Sequence, residues 1–586
     1  MYTSPPEPSP SVDPSATPQV PFGAAMRDAT RYMSVAAYLD PSFRETALHE
    51  LVRNRHRGVA PSHGGFDVVP VLRHCLRARS FLIMREVVLT LVLVGGLIFL
   101  TEGTIQVLAA VLPLALLTVR PLRGLPRPHK FFAWLILSVL VSVPATLAVI
   151  AVLSARVLSF GVGTADDLPT AAGLQVQLLI MMLLPIGVAV GYRIAVYHVI
   201  SRRLRPGTPP PHEPSADAEV EQRLQWIGAA QHGNVTLYSG RNPFLGAGDA
   251  ARAWTIAVEM DRTADARDSP GPVRPLVEID PLELHTFVRE RLAQMSARSH
   301  PAGIINLRIR DQIVATGRFN QLHGWNGSGP ALHPLVEPGQ LRPWTGLPDP
   351  VIAAVIRSPQ AGARHYQRLD INSEGPSVLD PAGRTVIPAE DRGTSVTAFV
   401  HLAVEGRMLY TEFVVTVLPP VARAYRSVDE LPLSSPPLLA YHALRGRSLY
   451  LFRDIAAAPL RLLRMGWQAF RHRIGVDDPR AYTAYDYGAR LSLRELGAAE
   501  RADTLIQELD TFKYTKLVEE RLTSAVLDFL EDKGVDTAAY RRQATAVSVS
   551  ATMHQEFSGD FSGAQFGGPG SQFSQNVNMQ RAEGGA

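Results

Sequence analysis

The sequence predicts a membrane α-helical protein with four transmembrane helices, followed by a cytoplasmic α+β domain and a C-terminal helical region. Three observations carry that expectation. Composition turns abruptly apolar between residues 81 and 200. Arginines concentrate in alternate loops of that block. From about residue 220 the pattern changes to mixed strand and helix periods. At 586 residues the chain exceeds what one core organises, so several folded units are expected.

The bulk numbers exclude several classes. A net charge of +4 is too small to argue for nucleic acid, and none is expected as a partner. The lone cysteine, Cys75, rules out internal disulfides and Cys-cluster metal sites, and reads as a small core hydrophobe.

Residues 1–25, rich in Pro and Ser, read as a disordered tail without the apolar centre of a secretory signal. Residues 26–80 read as a cytoplasmic helical juxtamembrane region. There "LDPSFRETALHELVRNRHRG" forms a helix capped by Asp40, with Pro41 in its first turn and Phe43, Ala47, Leu48, Leu51 and Val52 on one face. His49, His56 and His74 lie among arginines without acidic partners and read as surface residues.

Residues 81–200 read as the four-helix transmembrane domain. A span needs about 20 apolar residues, which "FFAWLILSVLVSVPATLAVIAVL" (131–153) and "LQVQLLIMMLLPIGVAVGYRIAVYHVI" (174–200) supply. The shorter runs 87–100 and 105–119, separated by Thr101–Thr104, read as a tight helical hairpin whose first helix reaches back to about Phe81. Arg73, Arg77, Arg79 and Arg85 precede the first span. Arg120, Arg123, Arg127 and Lys130 lie between the second and third, and Arg202, Arg203 and Arg205 follow the fourth. The two remaining loops hold one arginine and three carboxylates. Positive charge therefore falls on one side, which predicts both termini in the cytoplasm and an inner-membrane location. Arg79, Arg85, Arg120, Arg123, Arg127, Arg202, Arg203 and Arg205 are the expected membrane-interface residues. The middle of the spans carries no Asp, Glu or Lys, so an anchoring or assembly role is expected ahead of a transport path.

Residues 201–219 read as a Pro-rich linker and 220–430 as the α+β domain, mostly antiparallel. Strand-like runs include "NVTLYSG", "WTIAVEM" and "VRPLVEID". A helix follows Asp280, with Leu284, Phe287, Val288, Leu292 and Met295 as its apolar face. Residues 395–419 read as a hairpin turning at Glu405-Gly406, with Val396, Ala398, Val400, Leu402 and Val404 on one face. Gly246-Ala-Gly248-Asp-Ala-Ala251 fits the spacing of a dinucleotide loop. However, Pro243 breaks any strand before it and a strand rather than a helix follows, so it reads as a glycine-rich turn joining two strands. Neither a P-loop, His-Glu-x-x-His nor Gly-x-Ser-x-Gly occurs, and His323, His333, His365 and His401 lack ligand spacing. No catalytic, cofactor-binding or metal residue is expected.

Residues 440–545 read as helical. Within them "PLRLLRMGWQAFRHRIG" (459–475) carries Leu463, Trp467, Phe470 and Ile474 on one stripe. Arg461, Arg464, Arg471 and Arg473 surround the stripe. Arg461, Arg464, Trp467, Phe470 and Arg471 mark either a lipid-surface helix or ordinary packing. Residues 511–534 form a further helix, packing in a bundle or pairing with a second copy. Residues 546–586 form a low-complexity Gly/Phe/Gln/Asn tail, either plainly disordered or self-associating.

"YSGRNPFLGAG" followed by a strand, with "AYLDPSFRETALHELV" and "PSHGGFDVVPVLRHCLRARS" upstream, resembles actinomycete polytopic membrane proteins of unknown function. "LEDKGVDTAAYRRQATAV" resembles a helix that precedes glycine-rich tails in actinomycete signalling and conflict proteins. The resemblance implies a membrane location and brings no catalytic residues. The expected function is thus an integral membrane protein that senses, scaffolds or assembles. Its partners would be the bilayer and, through 511–586, a second copy or another protein. A transporter or channel component, and a membrane-tethered enzyme with an unrecognised site, are the alternatives.

Overall fold

The computed structural model describes residues 25–116, 136, 139, 171–262, 277–297, 303–304, 306–320, 332–431, 436–444, 448–474 and 478–557. Helix α1 (Asp28–Leu39) leads into α2 (Pro41–Ala47), where Asp40 accepts from the amides of Ser42 and Phe43 and Pro41 occupies the first turn. Phe43, Ala47, Leu48, Leu51 and Val52 are all buried, as the periodicity predicts.

Asp67 then caps α3 (Val68–Phe99), which reverses at Leu100 into α4 (Thr101–Leu116). The expected hairpin is therefore present. Helix α5 (Ala171–Arg203) packs against both. Among the described residues two helices are long and apolar enough to cross a membrane, Val68–Phe99 and Gln175–Arg203. Their outer faces expose Leu91, Ile98, Phe99, Leu179 and Leu183, which suits hydrocarbon. Apart from Ile136 and Val139, both helical, the run 131–153 lies outside the described residues, as do Arg120, Arg123 and Arg127.

The Pro-rich segment after α5 is held in place. Arg73 donates to the Glu213 carbonyl at 2.6 Å, and both Arg77 and Arg203 lie within ion-pair distance of the Glu213 carboxylate. Helix α6 (Ala218–Ala230), capped by Asp217, packs back onto α3. One core thus unites α1, α2, the first half of α3, the last turns of α5 and α6. Val196, Ile200 and Leu204 of α5 meet Leu224 and Ile227 of α6 in it, and Val421, Val428 and Leu493 join from far along the chain. Arg31, 2% exposed, locks it by reaching Asp28, Asp429 and the Leu204 carbonyl.

A six-stranded mixed sheet follows: β1 (Val235–Tyr238), β2 (Asp249–Glu259), β3 (Arg308–Thr316), β4 (Ala363–Gly375), β5 (Glu390–Glu405) and β6 (Met408–Leu418), in spatial order β1-β3-β4-β5-β6-β2. Only β1–β3 is parallel. β5 and β6 form the expected hairpin, with Glu405 opposite Met408 and Gly406 at φ 59°. A positive φ at that turn favours glycine. Residues 277–280 are not a strand. Val277 and Ile279 are buried, but only as the irregular approach to α7 (Pro281–Ala293), whose cap Asp280 accepts from Leu282.

One face of the sheet carries Val396, Ala398, Val400 and Leu402 and is covered by α7 and, later, by α12. Helix α8 (Asp349–Ile356) packs on β3 and β4 through Ile352, Ile356 and Ile313. Helices α9 (Pro436–Leu444), α10 (Ser448–Ala456) and α11 (Ala458–Ile474) return to α3, α4 and α5. The stretch 440–545 is not uniformly helical, because Ala484–Asp486 pairs antiparallel with Arg318–Asn320. Helix α12 (Leu505–Asp532) buries Val518, Leu522, Val526, Phe529 and Leu530 in the sheet core of its own chain. That stripe is therefore closed to a second copy. Helix α13 (Ala538–Phe557) lies along β2, and residues 558–586 are outside the described ones.

Candidate functional site

Three polar sites stand out, each assembled across a large sequence separation. The first lies where α3 passes from its basic half to its apolar half. Glu86, with no exposed surface, accepts from Arg85 at 2.5 Å and pairs with Arg461 at 3.1 Å. Asp454 of α10 receives Arg85 at 3.4 Å, Arg193 at 3.6 Å and Arg461 at 3.1 Å. Leu89 and Leu93 of α3 pack beside it on Ile455, Ala458 and Ala189. Two carboxylates and three guanidinium groups thus pin α10 and α11 to the apolar helices. Unpaired, any one of them would be costly at this burial.

Arg85 therefore does not face lipid headgroups, and Arg461 does not face lipid either. Both point inward because Glu86 and Asp454 are there to receive them. Arg79 is half-buried, and Arg202 and Arg203 are exposed, the latter near Glu213. Arg205 is half-buried. Arg464, Trp467, Phe470 and Arg471 are exposed. The sequence signal for the cluster was Glu86, an acid among flanking arginines, easily passed over as part of the flank.

The second site lies on the other face of the sheet. Asp370 takes Nε and Nη2 of Arg368 at 2.9 and 2.7 Å, while its other oxygen lies 3.2 Å from His63 Nδ1. Thr397 Oγ1 stands 3.1 Å from that nitrogen, and Gln312 takes Nη1 of Arg368 at 3.2 Å. Burial alone would push the Asp370 carboxyl up, but the Arg368 charge and His63 hold it well below the usual carboxylate range. Burial and the Arg368 charge keep His63 below its ordinary value, so the ring is neutral and its Nε2 has no hydrogen-bond partner among the described residues.

The third site answers the glycine motif. Tyr238 ends one edge strand and Asp249 begins the opposite one, so residues 239–248 strap the whole sheet. Phe244 packs on Phe399 at 4.3 Å between centroids and on Tyr366 at 5.2 Å, and Ala247 is fully buried. The amides of Gly246 and Gly248 both donate to Glu495 Oε1, at 2.8 and 2.9 Å. The loop binds an anion after all, and the anion is this chain's own carboxylate. Burial pushes Glu495 up, and the two amides pull it back. Ser492 caps the short helix Leu493–Leu496 in an S-x-x-E pattern, but its Glu is diverted to the strap.

Of the histidines expected at the surface or in solvent, His49 is exposed as predicted and His56 half-buried, whereas His74, His333, His365 and His401 are buried. His74 is 2% exposed and meets the Tyr38 hydroxyl at 3.0 Å; His49 has an acidic partner in Glu50 at 3.0 Å. His333, His365 and His401 are buried against the Thr316 carbonyl, Asp311 and the His365 carbonyl. His323 lies outside the described residues. Cys75 is buried in apolar surroundings. Among the described residues no three His, Cys, Asp or Glu side chains gather as metal ligands.

Fold and sites together define a class: apolar helices fused through a common core to an α+β domain, with buried ion pairs spanning the join. Within that class, the family described as the AbeC-like domain matches residues 253–565, more than half of the chain. The chain belongs to that family. No curated protein and no solved structure matches it. The matched stretch supplies Asp454, Arg461, Arg368, Asp370 and Glu495. Their partners Arg85, Glu86, Arg193, His63, Gly246 and Gly248 precede it. All three sites are thus seams between the family domain and the preceding part of the chain.

Proposed function

We propose that the chain is a multi-pass inner-membrane protein with four spans and both ends in the cytoplasm, acting as a membrane-coupled sensing or assembly scaffold. One observation carries the reading. The core that holds α3 and α5 also holds α1, α6, Val421 and Leu493, so the apolar helices and the α+β domain share one rigid joint instead of a tether. A displacement of α3 or α5 would reach the sheet through packed side chains, which have discrete arrangements and little compliance. Residues 558–586 would then recruit partners or a second copy.

A reporter fused after Arg205 should be active only in the cytoplasm, and carbonate should fail to extract the protein; activity on the outer side would refute the topology. Deleting residues 554–586 should reduce oligomer size in detergent, and unchanged assembly would remove the tail from the mechanism. The buried Glu86 cluster favours a second reading, a transporter or channel component. Ion flux in proteoliposomes that disappears in Glu86→Gln would select it.

A further inference from the structure

Helix α11 is built inside out. Its inward side meets α3 through Arg461, which pairs with Glu86 and Asp454, while Leu462 and Met465 are half-buried. Its apolar residues point away from the chain: Leu460 is 71% exposed, Leu463 72%, Trp467 60% and Phe470 53%. They recur at spacings of three and four, a single stripe. A water-facing helix would place these the other way round.

The neighbouring α3 and the nearby α9 also carry exposed apolar residues. On either side of Glu86, α3 exposes Met84, Val87 and Leu91, and α9 exposes Leu438 and Tyr441 beside α5. Charge is one-sided too. Between Ala458 and Val476 the chain contains arginines and no carboxylate, and Arg464 and Arg471 flank the exposed stripe.

We propose that α11 is a lipid-embedded helix of the AbeC-like domain, lying in the anionic inner leaflet with Leu460, Leu463, Trp467 and Phe470 among the acyl chains and Arg464 and Arg471 at the phosphates. An amphipathic helix of this kind sinks roughly 5–10 Å below the headgroups, a depth at which the charge cluster holds its inner side against α3. The family domain is then itself part of the membrane assembly, clamped by Glu86 and Asp454. This rests on the membrane reading above.

The test uses the full chain reconstituted in phosphatidylcholine–phosphatidylglycerol vesicles containing lipids brominated either near the headgroup or near the terminal methyl. The emission lost in Trp467→Phe isolates this tryptophan, whose exposed position tolerates the change. Its signal should be quenched by roughly half or more, most by the shallow bromines, and less so in Arg464→Gln/Arg471→Gln. If Trp467 escapes quenching while the other tryptophans are quenched, α11 faces water or protein and the proposal falls while the spans stand. If no emission is quenched and carbonate extracts the protein, the membrane reading falls with it.

Discussion

Removing the carboxylate of Asp370 tests whether the polar site beneath the strap is a structural ion pair. Asp370→Ala leaves the Arg368 guanidinium, 3% exposed at its side chain, with only Gln312 and the Ser62 carbonyl at 3.2 and 3.4 Å. Breaking one half of a buried pair costs about 3–5 kcal/mol, because a desolvated charge is left without its counter-charge. For a domain of this size, about 2–4 °C accompanies each kcal/mol, so the melting temperature should fall by roughly 6–20 °C. The assay is thermal unfolding of the full chain in detergent, followed by near-ultraviolet dichroism. Arg368→Met should cost a similar amount. The double variant Arg368→Met/Asp370→Leu removes both charges, so it should lie well above the sum of the singles. Strictly additive losses, or a drop of under about 2 °C in Asp370→Ala, would refute the ion-pair account.

Further outcomes concern acid, the strap and its anion. Burial lowers His63 and His401, and burial together with the neighbouring His365 holds His285 at about 3. The unfolded chain binds protons near pH 6.5 while the folded one does not. Stability should therefore be flat above pH 6.5 and fall below it, His285 alone contributing about 1.4 kcal/mol by pH 5.5. Melting curves at pH 7.5 and 5.5 check this, and His285→Gln should shrink the difference; an unchanged difference would exclude His285. Gly248→Ala places a Cβ 2.1 Å from the Val417 carbonyl at φ 90°, so the strap must lift and hydrogen exchange across β6 should accelerate. Glu495→Ala strands two amides at a cost of about 1–3 kcal/mol each, whereas Glu495→Gln, which keeps an acceptor, should cost less.

Local chemistry was legible in the sequence, and long-range assembly was not. Asp40, Asp280 and the Glu405-Gly406 turn carry their geometry in a few adjacent residues, and each appears where its pattern predicts. The glycine motif was legible as a turn between strands, but nothing local says that those strands are opposite edges of one sheet. His63 and Asp370 lie 307 positions apart and Arg461 and Glu86 375, so no spacing rule joins them. The helices at 436–456 were missed as part of the apolar bundle because they are too short and too charged to register as spans. Residues 277–280 misled because the buried Val277 and Ile279 alternate like a strand, while the Val277 amide makes one backbone bond, to the Met260 carbonyl at 3.0 Å, and no strand forms.

Strand β2 is an outer edge of the sheet, and edges invite further strands. Here Gln543 of α13 imitates one: its amide donates to the Ala257 carbonyl at 2.8 Å and its oxygen accepts the Ala257 amide at 3.3 Å. In the sequence this helix is followed by the Phe-, Gly- and Gln-rich residues 558–586. A cut within α13 upstream of Gln543 would hence be a double event, freeing the tail and baring a template onto which another polypeptide could add by backbone pairing. Shielding against unwanted association and the leash for the tail are vested in one removable piece.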